Sequence, residues 1–195
     1  MLCSLVRAAP QEARPPRPLA PSSLGDDDVP NPPPTPAMRA AADRGKWLHQ
    51  LFERLPGVSP PDRRELALRW LERSGVTDEP ARHEIADAAC SLIGNAAFAD
   101  LFGPDSLGEA PIAATLPDGR VVAGTVDRLC IGPDLIRVID FKTGRAIPDD
   151  VEAIPAAHRA QMAAYMQALS VIFPGRRIEA SLLYTGGPKL ITLPG

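Results

Sequence analysis

The sequence predicts a mixed α/β (α+β) domain built on one central sheet, preceded by a proline-rich segment. Three observations predict it. Apolar residues recur at three- and four-residue steps through residues 37–95, as amphipathic helices require. The period then drops toward two over residues 109–141, with turn signals between the runs. A helix and further strand-like runs close the chain. The 195 residues accommodate one domain of ordinary size plus a tail, and the prolines mark the division: ten of the 23 fall in the first 37 residues. Chain that lacks so many N–H donors, with few large apolar residues between them, is expected to form neither a helix nor a paired strand. Residues 1–36 are therefore read as a Pro-rich linker or tail, and 37–195 as the folded domain.

Taken in order, the tail carries an acidic spot at Asp26, Asp27 and Asp28, and reads as a semi-extended spacer joining the domain to something upstream. Ala41, Leu48, Leu51, Phe52 and Leu55 trace a first helix over residues 37–55, ended by Pro56-Gly57. A second opens with Ser59 as cap and Pro60, Pro61 and Asp62 in its first turn, running to Ser74-Gly75. A third covers 79–95, with Ile85, Ala89, Leu92 and Ile93 inward. Strands follow at 109–116, 120–131 and 135–141, separated by Pro117-Asp118-Gly119 and Gly132-Pro133-Asp134, which makes an antiparallel meander. Pro155 starts a helix that ends at Pro174-Gly175; strands at 178–184 and 189–193 complete the chain.

Several classes are excluded. The longest uncharged run, 160–175, is shorter than the roughly 20 apolar residues of a bilayer span, and the first ten residues hold no sustained apolar stretch. No membrane helix is expected, and the chain reads as cytoplasmic. Cys3, Cys90 and Cys130 are odd in number and widely spaced, which suits buried free thiols better than disulfides or a zinc site. A net charge of -3 gives no global attraction to phosphate backbones.

The chemistry gathers around residues 138–142. Asp140 and Lys142, two apart, point to one face of a strand while Ile139 and Phe141 point to the other. With the preceding turn centred between Pro133 and Asp134, Asp127 falls directly opposite Asp140. Such a pair repels unless a cation lies between, and a hard divalent metal fits the ligands on offer. Lys142 is then placed to orient or deprotonate a water. The plainer reading pairs Asp127 with Arg128 or Lys142 in a solvated bridge. His49 shares a helix face with Gly45 and Glu53, as Gln161 does with Tyr165. His83 and His158 read as ordinary histidines. Arg63, Arg64, Arg69 and Arg73, with Arg176 and Arg177, form either a phosphate-tracking surface or solvated faces; Lys46, Arg145 and Lys189 lie near the motif ends as strand contacts.

Gly45-Lys46-Trp47-Leu48-His49-Gln50-Leu51-Phe52-Glu53, Gly124-Thr125-Val126-Asp127-Arg128, Ile139-Asp140-Phe141-Lys142-Thr143-Gly144 and Gln161-Met162-Ala163-Ala164-Tyr165, in that order, resemble the RecB-type branch of the PD-(D/E)XK nuclease superfamily. Within it the chain, Pro-rich lead-in included, looks most like the C-terminal nuclease domain of the AddA subunit of AddAB helicase-nucleases. The resemblance implies a restriction-endonuclease-like central mixed sheet flanked by helices. It implies metal ligation (Mg²⁺, with Mn²⁺ possible) by His49, Asp127, Asp140 and the Phe141 carbonyl, with Glu109 at an acidic position shared by many relatives. Lys142 becomes the catalytic lysine, and Gln161 and Tyr165 support the site and contact the DNA strand. Val126 stands where the superfamily name has Pro, as is common in this branch. Some members hold an iron–sulfur cluster; no Cys follows Cys130, so ligand count excludes one here. The implied activity is hydrolysis of single-stranded DNA in double-strand break repair, as an exonuclease beside an AddA-type motor and an AddB-type partner. A noncatalytic DNA-binding module of a helicase complex, and a structure-specific endonuclease of the same fold, are the alternatives.

Overall fold

Thr35 accepts a hydrogen bond from the Met38 amide (3.2 Å), and Pro36, whose missing N–H costs nothing in a first turn, opens α1 (Pro36–Arg54). This computed structural model describes residues 18–21, 33, 35–144 and 146–194. α2 (Pro60–Arg73) begins after Ser59 as expected, but the Ser59 hydroxyl turns to the Asp62 carboxylate (2.5 Å) and caps no amide. α3 (Glu79–Ile93) is capped by Asp78, which accepts from the Ala81 amide at 2.9 Å. A 3₁₀ segment, Ala96–Phe102, follows in a stretch to which sequence periodicity assigns nothing. Then come β1 (Ser106–Thr115), β2 (Val121–Ile131), β3 (Leu135–Lys142), α4 (Ala156–Ile172), β4 (Arg177–Tyr184) and β5 (Lys189–Thr192).

The strands form one sheet in the order β1-β2-β3-β4-β5. The first three make the expected antiparallel meander, β3 and β4 run parallel with α4 as their crossover, and β5 returns antiparallel. Arg128 lies opposite Ile139 and Leu129 opposite Val138, the register that sets Asp127 against Asp140. Both sheet faces are packed. α1, α2 and α3 cover Cys130, Ile139, Phe141 and Leu183; α4 covers Val126, Ile136, Val138 and Leu182.

One irregularity positions the site. Val126 and Cys130 have the same parity and should share a face, yet Val126 packs toward α4 and Cys130 toward α1–α3. The β1–β2 pairing is regular up to Gly108 opposite Arg128 and resumes at Ala110 opposite Val126. Between them Glu109 adopts φ 49°, the left-handed region. The two strands exchange their faces at the Glu109–Asp127 level.

The tail departs from expectation. Residues 18–21 are ordered against the sheet: the Leu19 amide donates to Val121 O (2.7 Å) and its carbonyl accepts from Ala123 N (3.1 Å), a short parallel bridge on β2. A proline keeps its carbonyl and leaves its neighbours' amides free, so alternating prolines still permit one bridge. The acidic spot at Asp26–Asp28 and Arg145 lie outside the described residues, as does Cys3. Cys130 is buried and Cys90 half-buried, both as free thiols. Among the described residues no single helix is long and apolar enough to cross a membrane.

Gly45 seats α1 on the loop after β3, since a Cβ there would lie 2.5 Å from Thr143 Oγ1. Gly45→Ala should lower stability by about 1–3 kcal/mol through overpacking. In a Thr143→Ala background the same change should instead stabilise, by roughly 0.5–1 kcal/mol of helix propensity. Urea unfolding of the four proteins measures this, and an unchanged sign would refute the contact.

Candidate active site

Asp127 does two jobs at the point where β2 and β3 separate. Its Oδ2 accepts the Phe141 N–H at 2.5 Å, and its Oδ1 lies 3.2 Å from His49 Nδ1. The first contact takes the place of a ladder hydrogen bond, which is why pairing stops at Arg128 opposite Ile139. The Lys142 carbonyl is taken by Thr185 N (3.0 Å) on the β4 side. The Phe141 carbonyl, one residue earlier, therefore leaves on the opposite edge, toward Asp127.

His49 reaches this point because α1 buries Leu48, Leu51 and Phe52 against the sheet, leaving the imidazole at the seam. Its ring stands edge-on to Phe141 at 5.7 Å. Burial pulls its pKa down, but the hydrogen bond and charge of Asp127, with the charges of Asp140 and Glu109, leave it raised overall. Glu109 is exposed at the rim; partial burial and the Asp127 charge push its carboxyl up. One ligand atom each from His49, Glu109 and Asp127 lies within 4.8 Å of the other two. An imidazole nitrogen and two carboxylates held so close make a donor set suited to a divalent cation, which would also relieve the repulsion.

Asp140 stands beside this group, not in it. Its Oδ2 meets Lys142 Nζ at 2.8 Å and its Oδ1 accepts from Gln161 Nε2 at 2.9 Å, while Lys142 donates to Gln161 Oε1 at 3.0 Å. Strand spacing puts Asp140 and Lys142 side by side, and Gln161 on α4 closes the ring. Burial, then the charge of Asp127, push the Asp140 carboxyl up to about 6 against the opposing pull of Lys142.

Other expectations are corrected by the packing. Tyr165 is 1% exposed and its hydroxyl donates to Thr125 O (2.8 Å), so it braces β2 from beneath and offers no surface to a strand. Arg128 does not bridge to Asp127. It is buried on the α1 side, donating to the Phe52 carbonyl with its guanidinium 5.0 Å from the Phe102 ring centre. Arg64 pairs with Asp87 and Arg69 with Glu65, and Arg63 donates to the Val58 and Pro56 carbonyls, so this part of α2 is a solvated, internally paired face. Lys189 donates to the Pro148 and Asp149 carbonyls, pinning a loop.

A cleft of about 660 Å³ opens onto the His49–Glu109 side, lined also by Lys46, Gln50, Glu53 and Thr143. A second, of about 570 Å³, adjoins Lys142. Thr143 borders both, a position that its place directly after Lys142 could have suggested.

The mixed five-stranded sheet flanked by helices is the restriction-endonuclease-like arrangement. The family model of the PD-(D/E)XK nuclease superfamily matches residues 25–191. No curated protein matches the chain. A solved structure described as "Crystal structure of SSO0001" is similar over 76% of this chain and 75% of that one, at 16% identity and a TM-score of 0.35, too distant to bear on activity. The family match covers well over half of the sequence, and the chain belongs to the PD-(D/E)XK nuclease superfamily.

Proposed function

We propose that this domain is a metal-dependent deoxyribonuclease that hydrolyses phosphodiester bonds of single-stranded DNA. The observation that carries this reading is the cluster of His49, Glu109 and Asp127 next to the Asp140–Lys142–Gln161 ring. His49, Asp127, Asp140 and Glu109, with the Phe141 carbonyl, would hold Mg²⁺ or Mn²⁺. The bound cation supplies charge neutralisation at the phosphoryl oxygens and a more acidic water. Lys142 has one N–H beyond those spent on Asp140 and Gln161, and it holds the attacking water or a phosphate oxygen. Gln161 fixes the lysine's rotamer from α4, and Tyr165 acts behind the site as a positioning residue. His49 fixes the Asp127 carboxylate from the helical side.

The same reading extends to context. Residues 37–195 carry 18 basic and 20 acidic side chains, a balance that grips DNA weakly. This supports a role in which an AddA-type motor delivers the strand and an AddB-type partner completes a complex for double-strand break repair, with exonucleolytic cutting in the cytoplasm.

Linear single-stranded DNA with Mg²⁺ or Mn²⁺ should be degraded by the wild type, with Asp127→Ala and Lys142→Ala each slower by at least about 10²-fold and chelator abolishing activity. Equal degradation by all three proteins, or none by any, refutes the assignment; failure to bind Mn²⁺ in calorimetry would point to a noncatalytic module.

A pH effect follows from Asp140. Its raised value means that the folded state keeps a proton that the unfolded chain loses near pH 4. Stability from this group is thus fully present below about pH 4 and is lost as pH rises through about 6, on the order of 3 kcal/mol in metal-free protein. Urea unfolding from pH 4 to 8 in chelator should show Asp140→Asn gaining on the wild type across that window. Parallel curves would contradict it.

A further inference from the structure

The second cavity is bounded by Lys142 and Thr143 on one side and by Ile147, Pro148, Ala153 and Pro155 on another. His158 and Tyr184 also line it. His158 Nδ1 and Tyr184 Oη are buried with no hydrogen-bond partner among the described residues, and so is Oγ1 of Thr185, the next residue in the chain. Tyr184 is 2% exposed. Buried polar atoms are nearly always paired, and each one left unmet costs the folded state the hydration it gave up. Two of these atoms belong to lining residues of one cavity and the third to an immediate neighbour, which points to something that enters it.

The walls are held in place before anything binds. Lys189 donates to the Pro148 and Asp149 carbonyls at 2.8 and 2.7 Å, and Gly187 lies so close to Ile147 that a Cβ would sit 2.8 Å from its Cδ1. A prebuilt cleft with mostly apolar walls and a few convergent polar atoms has the character of a small-molecule subsite.

We propose that this cavity is a nucleoside subsite, taking the base and sugar of the nucleotide next to the phosphate at Lys142, with Tyr184 Oη and His158 Nδ1 hydrogen-bonding the base edge. The proposal rests on the nuclease reading above. A flat aromatic base buries its faces on the aliphatic and proline walls and brings ring nitrogens and carbonyls to the two unmet atoms, which neither a phosphate nor a bare sugar satisfies with equal burial. Lys142 lines the cavity itself, and Thr143 lines both it and the cleft at His49 and Glu109, which joins the cavity to the reacting centre.

The test is calorimetric titration of the full chain, in chelator, with thymidine 5′-monophosphate, deoxyribose 5-phosphate and inorganic phosphate. The nucleotide should bind at least about tenfold more tightly than the abasic sugar phosphate. Tyr184→Phe should weaken the nucleotide by about five- to tenfold, the worth of one hydrogen bond, and leave the abasic ligand unchanged. Ala153→Trp, which fills the cavity from an exposed rim position, should remove the nucleotide's advantage altogether. Equal affinities for the nucleotide and the abasic ligand, or no binding of either, overturn the proposal, as does a nucleotide affinity that neither variant alters. The nuclease reading is scored separately by cleavage. DNA degradation with no base-dependent binding sinks the subsite alone, and base-dependent binding lost in both variants without degradation by the wild type sinks the nuclease assignment alone.

Discussion

The Asp127 carboxylate stands where an unbroken sheet would have a backbone carbonyl, and its hydrogen bond to the Phe141 amide holds the fork between β2 and β3 open. A charge-assisted bond of this kind is stronger than the ladder bond it replaces, so the fork is a stable feature of the fold. With the strands apart, the Phe141 carbonyl is free on the Asp127 side and the His49 imidazole can reach Asp127 from α1. Glu109, turned to φ 49° directly across β1, makes the matching break on the other flank. The β2–β3 ladder thus ends at Asp127, while the β1–β2 ladder is interrupted for one pair and resumes at Ala110 opposite Val126. The reversal of strand faces at this level lets a single sheet present Asp127 toward α1 and Asp140 toward α4's Gln161.

Electrostatics follow from that geometry. Glu109, Asp127 and Asp140 occupy one row across three strands, with the Lys142 ammonium against Asp140 and the His49 imidazole against Asp127. Burial first and then the neighbouring negative charge raise Glu109 and Asp140, and the same carboxylates leave His49 raised against the effect of its burial. Such a row is costly to fold and is offset by large packed clusters on both faces, where Leu51, Leu71, Ile136, Met162 and Leu182 are wholly buried. Strain at a site paid back by an ordinary core is the usual pattern where local rules give way to chemistry.

Much of this was legible because it depends on short-range periodicity. A three-residue turn and period-two strands were enough to set Asp127 opposite Asp140, and i, i+2 spacing put Lys142 beside Asp140. Helical spacing placed His49, and it placed Gln161 and Tyr165 on one face of α4. What failed depended on backbone states or packing that periodicity does not encode. Nothing in Gly108-Glu109-Ala110 announces a left-handed glutamate, so the face reversal and the burial of Arg128 under α1 were hidden. Tyr165 shares a face with Gln161, but the extra turn takes it beneath β2, where its hydroxyl meets Thr125 O. His158 and Tyr184 come from α4 and β4, and only the fold brings them to one cavity. The Leu19 bridge was missed because a composition argument averages over a segment in which one residue sufficed.

The charge distribution makes one last connection between fold and role. The arginines Arg64 and Arg69 are neutralised by Asp87 and Glu65, Arg44 by Glu84 and Arg137 by Asp100, so cationic side chains outside the clefts mostly satisfy the domain itself. Exposed pairs of this sort add little stability, but each removes a charge that could have met a phosphate. Among the described residues, affinity for a polyanion would then lean on the clefts at Lys46 and Lys142. A site of that kind is slow to capture strands from solution and gains most from being tethered near a delivered end, because tethering supplies an effective concentration that no surface contact has to provide. If the proposed function holds, the weak outer surface would act as a restraint, favouring a delivered strand over DNA that is merely nearby.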